Sequence, residues 1–450
     1  MISKLLKLSS IVLLSSSYLI SQEIPNQYYS LNSIQLLYDF EKNWNSKTLL
    51  GAYRFQDAYR NQFLNNNSNF LFLKLRLGLE RNNGILTPIF LNTLTFKKNC
   101  YAYLYTIEGQ SGNKKNDFNK RNMISGIGYQ NNWVGLQIGR GNQHWGAGED
   151  IKLALTRSSA PYDYLMLSSD YGKIRVKYIH GILEKTGSNV NRYIVAKGIE
   201  WTNKESLIIG FSEVVVYSGL NRTIDFSYLN PIASHLELEL NNRLKTGNSS
   251  ASANAVWQFF YDFKFLKRLR LSGNFLIDEW EFDKEEFNKG GGHRVAYSSQ
   301  LAYSFFKEKI LSFYLSQIYI GPFTFRHANG FNNFVNNGIP IGSRYGSDIS
   351  KYVFGIKYFE YGNLYADFEL IFTESGNGSI LNDPYGLVDE NIIGNSKVNK
   401  VLNHQIKYWM GNNCHINFKI NIDQVDSKKS QLYSNVRISF FFDSIINLEN

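Results

Sequence analysis

Residues 268–275 read Arg268-Leu269-Arg270-Leu271-Ser272-Gly273-Asn274-Phe275, with Leu269, Leu271, Gly273 and Phe275 on one side of an extended chain and Arg268, Arg270, Ser272 and Asn274 on the other. Successive side chains of a strand point to opposite faces, so this period of two describes a β-strand with one apolar and one polar face. The pattern recurs along the chain. Ile174, Val176 and Tyr178 alternate with Lys173, Arg175 and Lys177; Leu364, Ala366, Phe368, Leu370 and Phe372 alternate with Asp367, Glu369 and Thr373. Ile416, Phe418, Ile420 and Ile422 do the same against His415, Asn417, Lys419 and Asn421. A soluble sandwich also alternates, with its polar face outward; in a membrane barrel the apolar face meets lipid and the polar face lines the lumen.

The spacing of the connections separates these cases. Short connections fall at 97–99, 130–132, 171–173, 202–205, 266–267, 307–309, 361–363 and 411–413. Between them lie longer ones, near 110–121, 143–161, 185–190, 218–250, 281–293, 322–349, 376–400 and 427–431. Alternation of tight turns with long loops is the signature of an outer-membrane barrel, whose turns are periplasmic and whose loops are extracellular. The stretch from residue 70 to residue 442 accommodates about 18 strands, an even number that leaves both ends on the periplasmic side. The turn at 81–84 is short although it falls on the long-loop side. Hydrocarbon leaves no backbone group unpaired, so the strand near 432–442 is expected to close on the one near 70–79.

Composition agrees with an all-β, transmembrane antiparallel barrel. The chain holds 30 Tyr and 32 Phe but only 4 Met and 2 Cys, which suits strands with aromatic girdles. Beyond the N-terminal segment no apolar run reaches 18 residues, so membrane helices are excluded. With 7 prolines and no linker-like tract, residues 70–450 read as one large domain. Ahead of it, Lys4 and Lys7 precede an apolar stretch at 8–20 and then Ser21, the order of a secretory signal spanning 1–21. Residues 22–69 form a periplasmic segment. In it Leu31, Ile34, Leu37 and Trp44, then Leu50, Tyr53, Ala58 and Tyr59, recur at spacings nearer helical than strand. This predicts a short helical or irregular element, with an extra strand at 48–60 as the alternative. Cys100 and Cys414 would lie four strands apart around the closure, roughly 20 Å at about 4.8 Å per strand, so no disulfide is expected.

The formal charge of +10 falls to +8 when Lys4 and Lys7 leave with the signal. A basic excess fits an anionic partner such as lipopolysaccharide or an acidic glycan, or a generally solvated basic surface. Nucleic acid is not expected for an exported chain. The 7 histidines show no metal-ligand spacing, and neither metal nor cofactor is expected. His327 and Asp348 share a long loop, but no activating third group accompanies them, so no enzyme is expected.

Four local sequences stand out. The first is Ile138-Gly139-Arg140-Gly141-Asn142-Gln143-His144-Trp145-Gly146-Ala147-Gly148-Glu149-Asp150, where small residues permit tight folding and Arg140 and Trp145 are the bulky anchors. It is no dinucleotide fingerprint, because the third glycine of that pattern would fall at His144. The others are Gly210-Phe211-Ser212-Glu213, Arg222-Thr223-Ile224-Asp225-Phe226-Ser227-Tyr228-Leu229-Asn230-Pro231, and Gly338-Ile339-Pro340-Ile341-Gly342-Ser343-Arg344-Tyr345-Gly346-Ser347-Asp348. Together they resemble the capsule assembly protein Wzi family, with its Arg…Trp-Gly-Pro-Gly loop, Gly-Leu-Ser-Glu strand, Arg…Asp…Tyr-Leu-Asn-Pro segment and late Gly-x-Asp loop. Ala147 stands where that family has proline, and Phe211 where it has leucine. The resemblance is close from about residue 120 to 235 and fainter around 320 to 372. It implies an eighteen-stranded outer-membrane barrel with a loop-occluded lumen and an N-terminal periplasmic element, acting as a surface lectin that helps attach capsular polysaccharide or other exopolysaccharide.

Sugar recognition uses aromatic faces against C–H surfaces and planar polar groups against hydroxyls and carboxylates, which Trp145, Tyr162, Tyr164, Tyr345, Arg140, Arg157 and Arg222 offer. The candidate glycan-binding or loop-anchoring set is Arg140, Trp145, Arg157, Arg222, Asp225, Tyr228, Asn230, Arg344 and Asp348. The competing reading is structural. Arg140, Arg222, Asp225 and Asp348 would then pair across the lumen to hold inward-folded loops, Trp145 would pack its loop against the wall, and Asn230-Pro231 would end a loop element. The expectation is a monomeric, non-enzymatic barrel of the bacterial outer membrane, in contact with lipid and lipopolysaccharide, that binds capsular polysaccharide or exopolysaccharide. The other reading is a general diffusion porin or small-solute channel; the long loops at 218–250 and 322–349 favour the plugged case.

Overall fold

The computed structural model describes residues 71–448 apart from 83–84, 97–98, 108–121, 132, 149, 187–188, 204, 242–251, 267, 280–293, 307–308, 361–363, 387–395, 411–412 and 427–428. The secretory signal and the periplasmic element expected before residue 70 lie outside the described residues. Among the described residues the first nine barrel strands are β1 (Leu71–Asn82), β2 (Ile85–Phe96), β3 (Cys100–Ile107), β4 (Asn122–Gln130), β5 (Val134–Gly141), β6 (Tyr162–Asp170), β7 (Ile174–Ile182), β8 (Val190–Thr202) and β9 (Leu207–Leu220). The next four are β10 (Ser252–Phe265), β11 (Leu269–Glu279), β12 (Arg294–Phe306) and β13 (Lys309–Ile320). A two-stranded ladder of β14 (Val335–Asn336) and β15 (Ile339–Pro340) stands apart from the wall. The wall then resumes with β16 (Ile349–Glu360), β17 (Leu364–Gly376), β18 (Ser396–Met410), β19 (Cys414–Val425) and β20 (Gln431–Leu448).

These strands make one antiparallel sheet of 18 strands in which each pairs with its neighbours in the chain. The sheet closes on itself through β1 and β20, in register from Leu71 opposite Leu448 to Asn82 opposite Arg437. The expected closure is therefore present, with a longer final strand than the alternation alone marks. Closure removes the free edges that hydrocarbon would not tolerate. Tight turns sit at one end of the barrel and the long connections at the other, except for the short β1–β2 turn. Cys100 and Cys414 are free thiols.

Alternation sorts the two faces. Phe259, Leu301, Leu315, Phe354 and Phe440 project outward and are exposed, whereas Gln258, Asn274, Ser298 and Lys351 point into the lumen and are buried. A barrel whose exposed face is apolar and whose covered face is polar is inside-out relative to a soluble sandwich, which is what lipid demands. The largest apolar cluster also lies within the lumen. It joins inward residues of the wall, such as Val214, Val256, Phe260 and Leu276, to Trp145, Ile151, Leu153, Leu155, Phe325, Phe334 and Ile341 of the long connections.

Candidate functional site

The connection from β5 to β6, residues 142–161, turns into the lumen instead of extending away from it. Its apolar residues Ile151, Leu153, Ala154 and Leu155 are buried, and Trp145 is bridged to Leu155 by the backbone. Gly146 and Gly148 take positive φ, and a Cβ on Gly146 would stand 2.6 Å from the Asn274 side chain and 2.7 Å from that of Gln258. Close approach to the far wall thus requires glycine there. An irregular segment carries backbone groups with no ladder to satisfy them, and short polar side chains of the far wall supply partners. Asn274 on β11 accepts from Ala147 N at 2.8 Å and donates to the carbonyls of Ala147 at 3.1 Å and Ile151 at 3.0 Å. Gln258 on β10 accepts from Ala154 N at 2.9 Å, and the Ser298 hydroxyl on β12 donates to Ile151 O at 2.6 Å.

A second connection, residues 321–348, folds in beside the first. Thr156 N donates to Ile341 O at 3.1 Å, Ser343 N to Leu153 O at 2.8 Å, and the Thr156 hydroxyl to Gly342 O at 2.6 Å. Arg192, fully buried on β8, moors this loop. Its guanidinium donates to the carbonyls of Phe331, Asn333 at 2.7 Å and Val335 at 3.0 Å, and is paired with Glu184. Arg326 ties in residues 377–386, donating to Gly378 O at 2.9 Å and Gly386 O at 3.1 Å. Burial lowers the Arg326 pKa, against the pull of Asp383 and Asp348. Asp348, at φ +56°, accepts from Gly378 N at 2.9 Å. These loops pack the lumen against the wall from β5 to β16. Along β17–β20 the lumen-facing Asp367, Glu369, Asn403 and Lys407 are only half-buried and Lys419 is exposed.

A second assembly lies on the other side of the wall. Ser218 on β9 meets Asn332 of the inward loop at 2.7 Å, so its odd-numbered neighbours Glu213, Val215 and Tyr217 face outward. They are nevertheless buried, together with the outward-facing Tyr178, Tyr193, Val195 and Lys197. What covers them is the strap formed by 221–241, which contains a 3-10 turn (Phe226–Leu229) and a short helix α1 (His235–Leu240). Asp225 caps the turn by accepting from Ser227 N and pairs with Arg222 at 2.9 Å, and the Arg222 guanidinium lies 4.6 Å from the Tyr217 ring centre. Tyr228 stacks on Tyr217 at 4.7 Å and shares a 2.8 Å hydrogen bond with His235 Nδ1. Lys197 and Glu213 form a 3.0 Å ion pair beneath the strap. Glu213 also accepts from His235 N at 3.0 Å and Trp257 Nε1 at 2.9 Å, while Lys197 donates to Ala233 O. Burial pushes the His235 imidazole below its usual range, against the opposing pull of Glu239 and Glu213.

The sequence motifs therefore fall into two assemblies: the loop that continues from 138–150 meets 338–348 inside the lumen through residues 153–156, and the strap that carries 222–231 docks outside it on Tyr217 and, through His235, on Glu213. They do not form one site. Two parts of the lumen-pairing expectation are corrected. Arg140 sits on the outward face of β5 and pairs at 3.1 Å with Asp163 on the adjoining strand, both solvent-exposed, because its position shares parity with the lipid-facing Ile138. Arg222 and Asp225 pair with each other on the outer wall, since their loop folds outward. Trp145 is 3% exposed and has no free ring face; Lys177 stands 5.3 Å from its centre. Arg157 packs on His144 at 3.0 Å within the plug. Tyr228 is covered, and exposed Asn230 turns its side chain onto Ile232 N at 3.0 Å. Arg344 is exposed and donates to the Tyr345 hydroxyl at 2.7 Å, with Lys351 3.9 Å from the same ring. Arg192, Gln258, Asn274, Lys197 and Glu213 organise both assemblies, and sequence reasoning named only Glu213 and Asn274 among them, without a role. The available signal was Lys197 and Glu213, two charges on the side of their strands that faces lipid. Among the described residues no group of three or more His, Cys, Asp or Glu is placed to hold a metal.

No family model matches this sequence, and no curated protein matches it. Solved structures do. The chain is similar to that of Wzi, an outer membrane protein involved in group 1 capsule assembly in Escherichia coli and described as a carbohydrate-binding β-barrel, at 10% identity and a TM-score of 0.59 over 91% of each chain. It is also similar to the outer membrane protein OprD from Pseudomonas aeruginosa, at 10% identity and a TM-score of 0.44 over 84% of this chain and 96% of that one. The likeness to the first is one of fold: a closed antiparallel outer-membrane β-barrel of 18 strands.

Proposed function

We propose that this chain is a plugged barrel of the bacterial outer membrane that holds capsular polysaccharide or exopolysaccharide at the cell surface and carries out no reaction of its own. The observation that carries the reading is the mooring of two long loops inside the lumen by Arg192, Gln258 and Asn274, which makes a fixed floor at the loop-bearing end of the barrel. Above a floor of this kind a polymer can be retained without being passed through. The exposed Arg344 and the half-buried Tyr345 supply suitable chemistry, an aromatic ring with a guanidinium 5.0 Å from its centre, while buried Lys351 holds the same ring from within the barrel. A ring face receives the C–H surface of a sugar, and a guanidinium beside it pairs a uronate carboxylate. The likeness to a barrel described as carbohydrate-binding supports the same reading. Lipid and lipopolysaccharide contact would follow from the location, and the barrel would act as a monomer.

The test is retention of acidic polysaccharide by the detergent-folded protein on a glycan array, at low and high salt. Binding that survives salt and falls about tenfold, or 1.4 kcal/mol, in Arg344→Ala and Tyr345→Ala is expected. Normal cell-bound glycan in a strain lacking the protein would contradict the proposal.

A second reading, a small-solute channel, draws on the half-buried polar faces of β17–β20, which line a water-accessible side of the lumen. Planar-bilayer recording separates the two: low, unsteady conductance for the plugged barrel and a stable open level for the channel.

A further inference from the structure

The strap at 221–241 has a covered side and an open one. Its covered side, Tyr228, Ala233, His235 and Leu238, is packed on the outward wall of β7–β10. Its open side carries Phe226 at 84% exposure, Ile232 at 89%, Leu236 at 50% and Leu240 at 72%. We propose that this strap is a membrane-inserted collar, occupying the acyl-chain layer of the outer leaflet in place of lipid and presenting Phe226, Ile232, Leu236 and Leu240 to the surrounding chains.

Position carries the argument. Ala233 and His235 reach Lys197 and Glu213, which face each other across β8 and β9. One outward-facing step along the same strands toward the tight-turn end stand Ile199 and Phe211, and Phe259 follows Trp257 in the same way on β10. Ile199 and Phe259 are large, apolar and exposed, part of the barrel's lipid-facing belt. The strap's lower edge therefore continues that belt, and its open apolar side has the same solvent as the belt. A short helix with Leu236 and Leu240 on its open side, His235 and Leu238 on protein and the exposed Glu239 carboxylate at its polar edge matches an interfacial element. The wall beneath gives a second reason. An ion pair on the outward face of a barrel would meet hydrocarbon if uncovered, where charged side chains are costly. The strap covers Lys197 and Glu213 and supplies a carbonyl to one and an amide to the other.

The experiment uses the full chain with Cys100→Ser and Cys414→Ser, spin-labelled at Phe226→Cys or, separately, at Ile232→Cys, and reconstituted in dioleoylphosphatidylcholine vesicles. Folding is confirmed by heat-modifiable mobility in SDS gels. Collision of the label with oxygen and with a water-soluble nickel chelate is read by electron paramagnetic resonance, with Leu315→Cys on the lipid-facing wall as reference. The expected result is oxygen accessibility matching the reference and at least several-fold above nickel. Nickel accessibility typical of an aqueous loop would overturn the proposal. So would exclusion of both reagents, which would place a second barrel against the strap. Two label sites keep the result decisive if one variant fails to fold.

Discussion

Arg192 lies on the lumen-facing side of β8, in line with the apolar Ile194 and Ala196, yet nothing in Asn191-Arg192-Tyr193 distinguishes it from any other lumen-facing cation. Its role arises from carbonyls 139 to 143 residues away. Local pattern assigns a residue to a face, and only the folded chain assigns it a partner. The same reason hid Gln258, whose acceptor function depends on a loop 104 residues earlier. Arg192→Ala removes one partner of a buried ion pair and orphans three carbonyls, a loss of about 3–5 kcal/mol. The expected outcome is an earlier unfolding midpoint in urea and protease cleavage within 321–348, both read on the folded barrel. Arg192→Lys should restore little, because one ammonium cannot present the planar fork that reaches three carbonyls. Glu213→Ala should be of similar size, since it leaves Lys197 on a lipid-facing wall with a carbonyl as its main partner; Glu213→Gln, which keeps an acceptor for His235 N, should cost less. Thermal unfolding in detergent would rank the four variants.

At the scale of elements, strands and turns were legible because both are written locally, in period-two alternation and in runs of turn residues. The side of the wall on which a loop folds is not local. Residues 142–161 and 221–241 both combine one arginine with aromatic and aliphatic side chains, but one folds inward and the other outward. The strap is also where pH should act. His235 faces Tyr228, Glu213, Glu239, Lys197 and His327, and burial lowers its pKa in the docked state. An undocked imidazole titrates near 6.5, so the released strap binds the proton more readily than the docked one. Docking is then complete above that pH and weakens as pH falls below it. Hydrogen exchange over 226–240, corrected for intrinsic rate, should be faster at pH 5 than at pH 7.5; equal protection at the two values would rule out this linkage.

For the whole molecule the governing requirement is closure. β1 is held by β2 on one side and by β20 on the other, across twelve residue pairs in the latter ladder. Removing residues 431–450 would leave β1 and β19 with bare edges in hydrocarbon. The truncated chain is expected to show no heat-modifiable band in SDS gels and to remain in the urea-soluble fraction after refolding into vesicles. A folded band would mean that the remaining strands can close by themselves.

The moorings of the inward loops set the order in which the molecule can be built. Ala147 waits for Asn274, which follows it by 127 residues, and Ile151 waits for Ser298, which follows by 147. The stopper is thus made before the socket that holds it, and cannot be seated until the later staves of the cask are standing. Until β10 to β12 stand the vessel is hollow and the stopper unfastened, so the corking belongs to a later stage than the raising of β5 and β6, between which the stopper hangs.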